Sequence, residues 1–276
     1  MPELPEVELV ARSLDSLTAG KRIETARLLR EGLAPDSPPE EFAARLSGGR
    51  IIAVGRRGKH ILIELDNGLT LIVHLRMTGR FMMLGPEREM PKFAHAVFYF
   101  DDENRLVFDD QRHFGFMRIS RTETVEKTKE ISKLAPEPFS DEFSIEYLRE
   151  KLRTSSRPVK EFLLDQTKVC GLGNIYASEA LFLARINPTI PAKEISVVKT
   201  GRLHEFIRRV LGEAIDQGLA IRVDPENIDG SYFSGGFEDR WRVYGRENES
   251  CPNCGSLIKR IKQGGRSSFF CSRCQR

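Results

Sequence analysis

The apolar residues of this 276-residue chain repeat with one period up to about residue 120 and with another beyond it. In the first part they alternate with polar residues, which predicts strands over 22–30, 49–57, 59–66, 69–77, 80–84, 94–101, 105–108 and 114–120. Asn67-Gly68 reads as a tight hairpin between two of them. Many short strands joined by turns predict an antiparallel sandwich or barrel. Two helices accompany it, a short one over 40–46 and one over 4–18. The longer has Leu4, Val7, Val10, Ala11, Leu14 and Leu17 on one face and Gly20 as its stop. From 121 to 144 the composition turns to Thr, Glu, Lys and Pro, including Pro136-Glu137-Pro138, and the helical period follows at 145–152, 158–165, 175–184 and 197–217. The polar, glycine-rich stretch 218–239 is either a mobile functional loop or disorder. The chain is therefore expected to be a multidomain α+β protein: a sandwich with flanking helices over 1–125, a linker over 126–143, a helical domain over 144–239 and a terminal module over 240–276.

The terminal module is set apart by charge and by cysteine. Residues 240–276 hold nine Lys and Arg against two Glu, a net of +7, while the other 239 residues carry a net of −4. A cationic end on a mildly acidic body suits a polyanionic partner. Four of the five cysteines form Cys251-x2-Cys254-x16-Cys271-x2-Cys274, with Cys170 apart as a small buried thiol. Paired spacing of this kind reads as one structural zinc ion closed by four thiolates, with no open position for catalysis. Between the pairs, 257–262 and 267–270 read as two strands joined by Gln263-Gly264-Gly265-Arg266, a zinc-stapled hairpin with Arg266 near its tip. No apolar run approaches ~18 residues, and no basic region precedes an apolar one at the start, so neither a membrane span nor a secretory signal is expected. A cytoplasmic protein is expected on that basis.

The chain begins Met1-Pro2-Glu3-Leu4-Pro5-Glu6. Removal of Met1 makes Pro2 a free secondary amine one residue from a carboxylate. An α-amino group titrates near pH ~8, so part of it is neutral and nucleophilic at physiological pH. Such an amine forms Schiff bases with electrophilic carbon. The same residue types also simply favour the first turn of a helix. Lys168 to Tyr176 lies between two helices, where Gly171 and Gly173 permit a turn and Asn174 is a suitable cap for a helix beginning at Ile175. Exposed N–H groups at such a start can hold a phosphate. Taken singly, Lys59 reads as a solvated basic hairpin tip, His74 as a core histidine, and Met77, Arg112 and Phe114 as turn residues beside core strands.

Together these pieces resemble the formamidopyrimidine-DNA glycosylases, with the endonuclease VIII group as cousins. The resemblance is carried, in family order, by Pro2-Glu3-Leu4-Pro5-Glu6-Val7-Glu8, His74-Leu75-Arg76-Met77-Thr78-Gly79 and Asp110-Gln111-Arg112-His113-Phe114-Gly115. It continues in 171–179, Val243-Tyr244-Gly245-Arg246 and the four-cysteine finger ending at Arg276. Leu4 fits the formamidopyrimidine branch. The resemblance implies a β-sandwich domain, a helical domain with a helix–two-turn–helix motif, a zinc finger, and duplex DNA carrying a damaged base or abasic site as partner. It implies a bacterial-type, nucleoid-associated enzyme of base excision repair, monomeric by default, that excises oxidised purines and cleaves the strand. Pro2 would be the nucleophile at C1′ and Glu3 the proton donor. Lys59 would hold a phosphate and assist β-elimination, and Arg266 would bind phosphates and assist δ-elimination. Met77, Arg112 and Phe114 would fill the gap left by an extruded base, with further DNA contacts at Glu6, His74, Lys160, Asn174 and Tyr244. The chain departs from the family pattern at Phe93-Ala94-His95, at Ser155, and over 218–239 with its Ser234-Gly235-Gly236. Those departures leave open an endonuclease VIII-like preference for oxidised pyrimidines, and a silent binder of damaged DNA remains the rival outside enzymes.

Overall fold

A computed structural model describes residues 1–221, 223–229 and 241–276. Helix α1 (Leu4–Thr18) opens the chain and is followed by β1 (Ile23–Leu28), α2 (Pro39–Leu46), β2 (Ile51–Arg57), β3 (His60–Leu65), β4 (Leu69–His74), β5 (Gly79–Leu84), β6 (Ala94–Phe100), β7 (Arg105–Asp110) and β8 (Phe116–Arg121). The later elements are α3 (Ile145–Arg153), α4 (Val159–Leu163), α5 (Asn174–Leu183), α6 (Val197–Leu219), β9 (Lys259–Gln263) and β10 (Arg266–Phe270). By contacts the chain forms two units: Met1–Ser132 with the described residues from 217 to 229, and Lys133–Asp216 with 241–276.

In the first unit the eight strands make two four-stranded antiparallel sheets, in the orders β1-β6-β7-β5 and β2-β3-β4-β8. Alternation decides which face each side chain takes. Along β3, Ile61, Ile63 and Leu65 point inward, and they meet Ala96, Phe98 and Phe108 of the other sheet in one core. The apolar stripe of α1 adds Val7, Val10 and Leu14 to that core, and α2 adds Phe42. Burying a side chain of this size stabilises by roughly 1.5–3 kcal/mol, so this face fixes α1 on β2 and β3.

Several strands end earlier than the alternation suggests. β4 stops at His74 because Arg76 adopts φ 56, which no strand accommodates. Lys59 belongs to a two-residue turn: Arg57 pairs with His60, and Gly58 has φ 59. Within 126–143, Ile131 and Phe143 are buried and the Phe143 ring stacks on His204 at 5.2 Å. Part of the 218–239 stretch is ordered against the sandwich: Ile228 bridges to Phe81 on β5, and Met83 N–H donates to the Pro225 carbonyl at 2.7 Å. Ser234-Gly235-Gly236 lies outside the described residues. In the second unit, Phe182 of α5 packs with Val243, Ile258 and two of the cysteines. Among the described residues, no helix is long and apolar enough to cross a membrane.

Candidate functional site

Glu3 is the N-cap of α1, and its backbone N–H donates to the Glu6 carboxylate at 2.7 Å. Both carboxylates are buried at the positive end of the helix dipole. Glu6 is thus engaged with the helix start itself, while Pro2 is half-buried beside it. Two staples set the β2–β3 hairpin against this helix. Val54 N–H donates to Asp15 at 2.7 Å, and Arg56 Nε donates to Glu8 at 2.6 Å. Because β2 climbs from 54 to 56 as α1 descends from 15 to 8, the Gly58-Lys59 turn runs toward the helix start. Lys59 is buried, contrary to the solvated tip its spacing suggested. Behind it, His60 and His74 meet edge to face at 4.8 Å, and His74 Nδ1 accepts from Arg76 N–H at 2.9 Å. Burial holds His60 down to about 4 and His74 to about 2, so both are neutral near pH 7.

Met77, Arg112 and Phe114 come together at one edge of the sandwich. Arg112 Nη1 lies 3.0 Å from the Met77 sulfur, and its guanidinium stands 5.0 Å over the Phe114 ring. Met77 is 47% exposed and Phe114 53%, a large apolar area for three residues to offer solvent. What holds them is underneath. The fully buried Asp110 carboxylate accepts from the Thr78 hydroxyl, from Arg112 N–H at 3.2 Å and from Gly115 N–H at 2.7 Å. A Cβ at Gly79 or Gly115 would fall 2.7 Å from the Phe108 ring, so only glycine lets both turns close over it. Asp110 was not singled out in the sequence, where nothing distinguishes a buried acceptor from a surface acid.

The second unit holds the remaining predicted residues. Gln166 clamps the turn between α4 and α5: its amide donates to the Leu164 and Leu172 carbonyls, and its oxygen accepts from Gly171 N–H at 2.9 Å. Asn174 is the first residue of α5, with Gly173 rather than Asn174 as the cap, and its Oδ1 is buried without a hydrogen-bond partner among the described residues. Fully buried Glu179 accepts from the N–H groups of Arg242, Val243 and Tyr244, and the Tyr244 ring meets Phe269 edge-on at 5.2 Å. Lys160 is 1% exposed, and its ammonium donates to the Ser267 carbonyl at 2.8 Å, so it engages the finger rather than open solvent. The finger turn is only Gly264-Gly265, at φ 51 and 77, which leaves Arg266 exposed as the first residue of β10.

The four finger sulfurs lie within 4.8 Å of one another. Cys251 and Cys274 are 3.8 Å apart, and Cys254 and Cys271 3.5 Å, too far for disulfides. Four thiolates 2.3 Å from a zinc ion at the centre of a tetrahedron stand about 3.8 Å apart, so the set fits one structural zinc. Cys271 N–H donates to Gln275 Oε1, and Gln275 donates to the Ile186 carbonyl, which docks the knuckle on the helices.

Residues 1–117 match the formamidopyrimidine-DNA glycosylase N-terminal domain, 134–224 its H2TH domain, and 248–276 the zinc finger found in FPG and IleRS. The formamidopyrimidine-DNA glycosylase of Heliobacterium modesticaldum is 43% identical over 280 residues, covering 100% of both chains. The Lactococcus lactis Fpg in complex with abasic-site DNA has a TM-score of 0.90 at 34% identity over 99% of each chain. The same protein with DNA containing an oxidised pyrimidine matches with equal score, identity and coverage. With all three parts matched in order and identity of this level over its whole length, the chain belongs to the formamidopyrimidine-DNA glycosylase family.

Proposed function

We propose that this chain, a DNA glycosylase of base excision repair, excises ring-opened and other oxidised purines from duplex DNA and then cleaves the strand through a Schiff base on Pro2. The observation that carries the reading is the double staple of β2 to α1, which runs the Lys59 turn toward the helix end bearing Pro2 and Glu3. With Met1 removed, the Pro2 nitrogen gives its lone pair to C1′ as the bond from C1′ to the base breaks; the base leaves with the electrons of that broken bond and takes up the proton that the Pro2 nitrogen releases. The sugar ring then opens, its oxygen is protonated, and an iminium ion remains. Glu3 is the proton donor in this sequence, in a buried setting where a carboxyl group acts free of bulk water.

The cationic nitrogen acidifies C2′, so loss of that proton expels the 3′ phosphate, and a second elimination expels the 5′ phosphate. Lys59 holds a phosphate and assists the first step. Arg266 binds phosphates around the lesion and assists the second. Asn174, the first residue of α5, contributes to the phosphate clamp through N–H groups at the helix start. A base in the stack must be extruded before any of this, and Met77, Arg112 and Phe114 are the wedge that occupies the vacancy.

Borohydride reduction of the iminium ion should trap a covalent protein–DNA adduct. The adduct should be absent in Pro2→Gly and in protein that retains Met1, and wild-type protein yielding none on any lesion or abasic duplex would refute the lyase. A nicking assay on an abasic oligonucleotide excludes or establishes the silent binder. The Lactococcus complex with an oxidised pyrimidine keeps pyrimidine lesions as the second reading, and excision rates across a panel of lesion duplexes separate the two.

A further inference from the structure

We propose that His113, clamped by His95, is a positioning residue that sets the wedge for base extrusion; this rests on the reading that Met77, Arg112 and Phe114 fill the vacancy. His113 lies between Arg112 and Phe114 and has φ 61, a conformation that is uncommon for side-chain-bearing residues and costs them strain. His95 supplies the holding contact. The His113 and His95 rings lie 8° from parallel with centroids 4.9 Å apart, and they meet edge to edge where His95 Nε2 lies 2.8 Å from His113 Nδ1. A separation that short between two ring nitrogens requires one to donate and the other to accept. Phe93 closes the outer side, edge-on to His113 at 6.0 Å.

His95 itself is 3% exposed on β6, an interior strand of its sheet, so it is a fixed anchor. The wedge loop is therefore gripped at two points. Asp110 holds its backbone from below through Arg112 and Gly115, and His95 holds the one strained residue between the two wedge side chains. Release of the second grip leaves the loop attached and lets His113 relax to negative φ, which swings Arg112 and Phe114 away from their common edge. The Asp110 carboxylate does not contact His113's side chain in any hydrogen bond described, so the two grips are separable.

The wedge matters only where a base must be extruded from a duplex. Single-turnover cleavage of a lesion duplex is therefore compared with cleavage of a single-stranded abasic oligonucleotide, for wild type, His113→Gly and His113→Asn, with thermal melts alongside. His113→Gly removes the ring's grip and frees the loop to sample either sign of φ, and should lower the duplex rate about tenfold, as for loss of one hydrogen bond, while single-strand cleavage stays at the wild-type rate. His113→Asn should stay within about threefold of wild type on both, because an amide stands where Nδ1 stood and Asn tolerates this backbone. His95→Phe, which keeps an aromatic ring at the anchor and removes the hydrogen bond, should repeat the split, so the test does not hang on one variant folding. Equal losses on both substrates, wild-type duplex rates in His113→Gly, or failure of His113→Asn to rescue would overturn the positioning role. Wild-type protein inert on both substrates would overturn the lyase reading instead, and the wedge inference with it.

Discussion

The sandwich edge that carries Met77, Arg112 and Phe114 and the finger turn that carries Arg266 both present side chains to solvent, and they are held by different physics. The edge is built on a core of two packed sheets and spends that stability locally. Two residues with positive φ, two glycines pressed on Phe108 and one buried carboxylate force apolar side chains outward. The finger has a core of a few residues around four cysteines, too small to fold a hairpin unaided. It is held by metal, by Glu179 beneath residues 242–244, and by the Lys160 ammonium on Ser267. A strained surface needs a large core behind it; a small module needs a strong staple, and the staple leaves its tip exposed and cationic.

Metal removal should separate the two most widely. Structural zinc is worth about 10–16 kcal/mol of apparent binding energy in finger peptides, so chelation or Cys251→Ser should unfold residues 248–276 and abolish DNA binding. The sandwich should keep its β-sheet circular dichroism and its own melting transition; unchanged affinity for DNA after metal loss would break the comparison from the finger side. Asp110→Ala is the counterpart on the sandwich. It deletes three hydrogen bonds to a carboxylate that is fully buried, and should cost about 4 kcal/mol in urea unfolding. Zinc content should not change, and a loss under about 1 kcal/mol would show that Asp110 is not what holds the loop of Arg112 and Phe114.

Acid should act on the sandwich next. His60 and His74 are neutral in the folded state, with values lowered by burial from the ordinary 6.5 to about 4 and about 2. The unfolded chain therefore binds more protons below pH 6.5, and the contribution of these groups is complete above that value and lost as pH falls toward 4. The loss from His60 alone is about 3 kcal/mol by pH 4. His60→Phe together with His74→Phe should flatten stability between pH 6.5 and 4, and an unaltered slope would count against the pair. The smallest effect sharpens the finger side. Lys160→Met leaves the Ser267 carbonyl without its charged donor, at about 2 kcal/mol. Amide exchange over 259–270 should quicken, and the ratio of δ- to β-elimination products should fall with β-elimination intact.

Much of this was legible in the chain. Period-two alternation gave the strands because one face of each sheet is buried and the other is not, and the cysteine spacing gave the finger because two short loops suffice to close a tetrahedron. Boundaries slipped where a single backbone angle decides them, at Arg76 and at the Gly58-Lys59 turn. The helix–two-turn–helix turn was visible as glycines and Asn174, but its clamp was not, since Gln166 has no pattern around it.

By itself the sequence determined the class of fold, the metal ligands and the residue types offered for chemistry, because these depend on periodicity and on spacings of a few residues. Only the tertiary structure decided that Lys59 and Lys160 are buried, that Asp110 holds the loop of Arg112 and Phe114, and that His95 meets His113 across eighteen positions of chain. Burial and long-range hydrogen bonds are properties of what packs against a residue. Nothing local to Lys59, Asp110 or His113 records their partners.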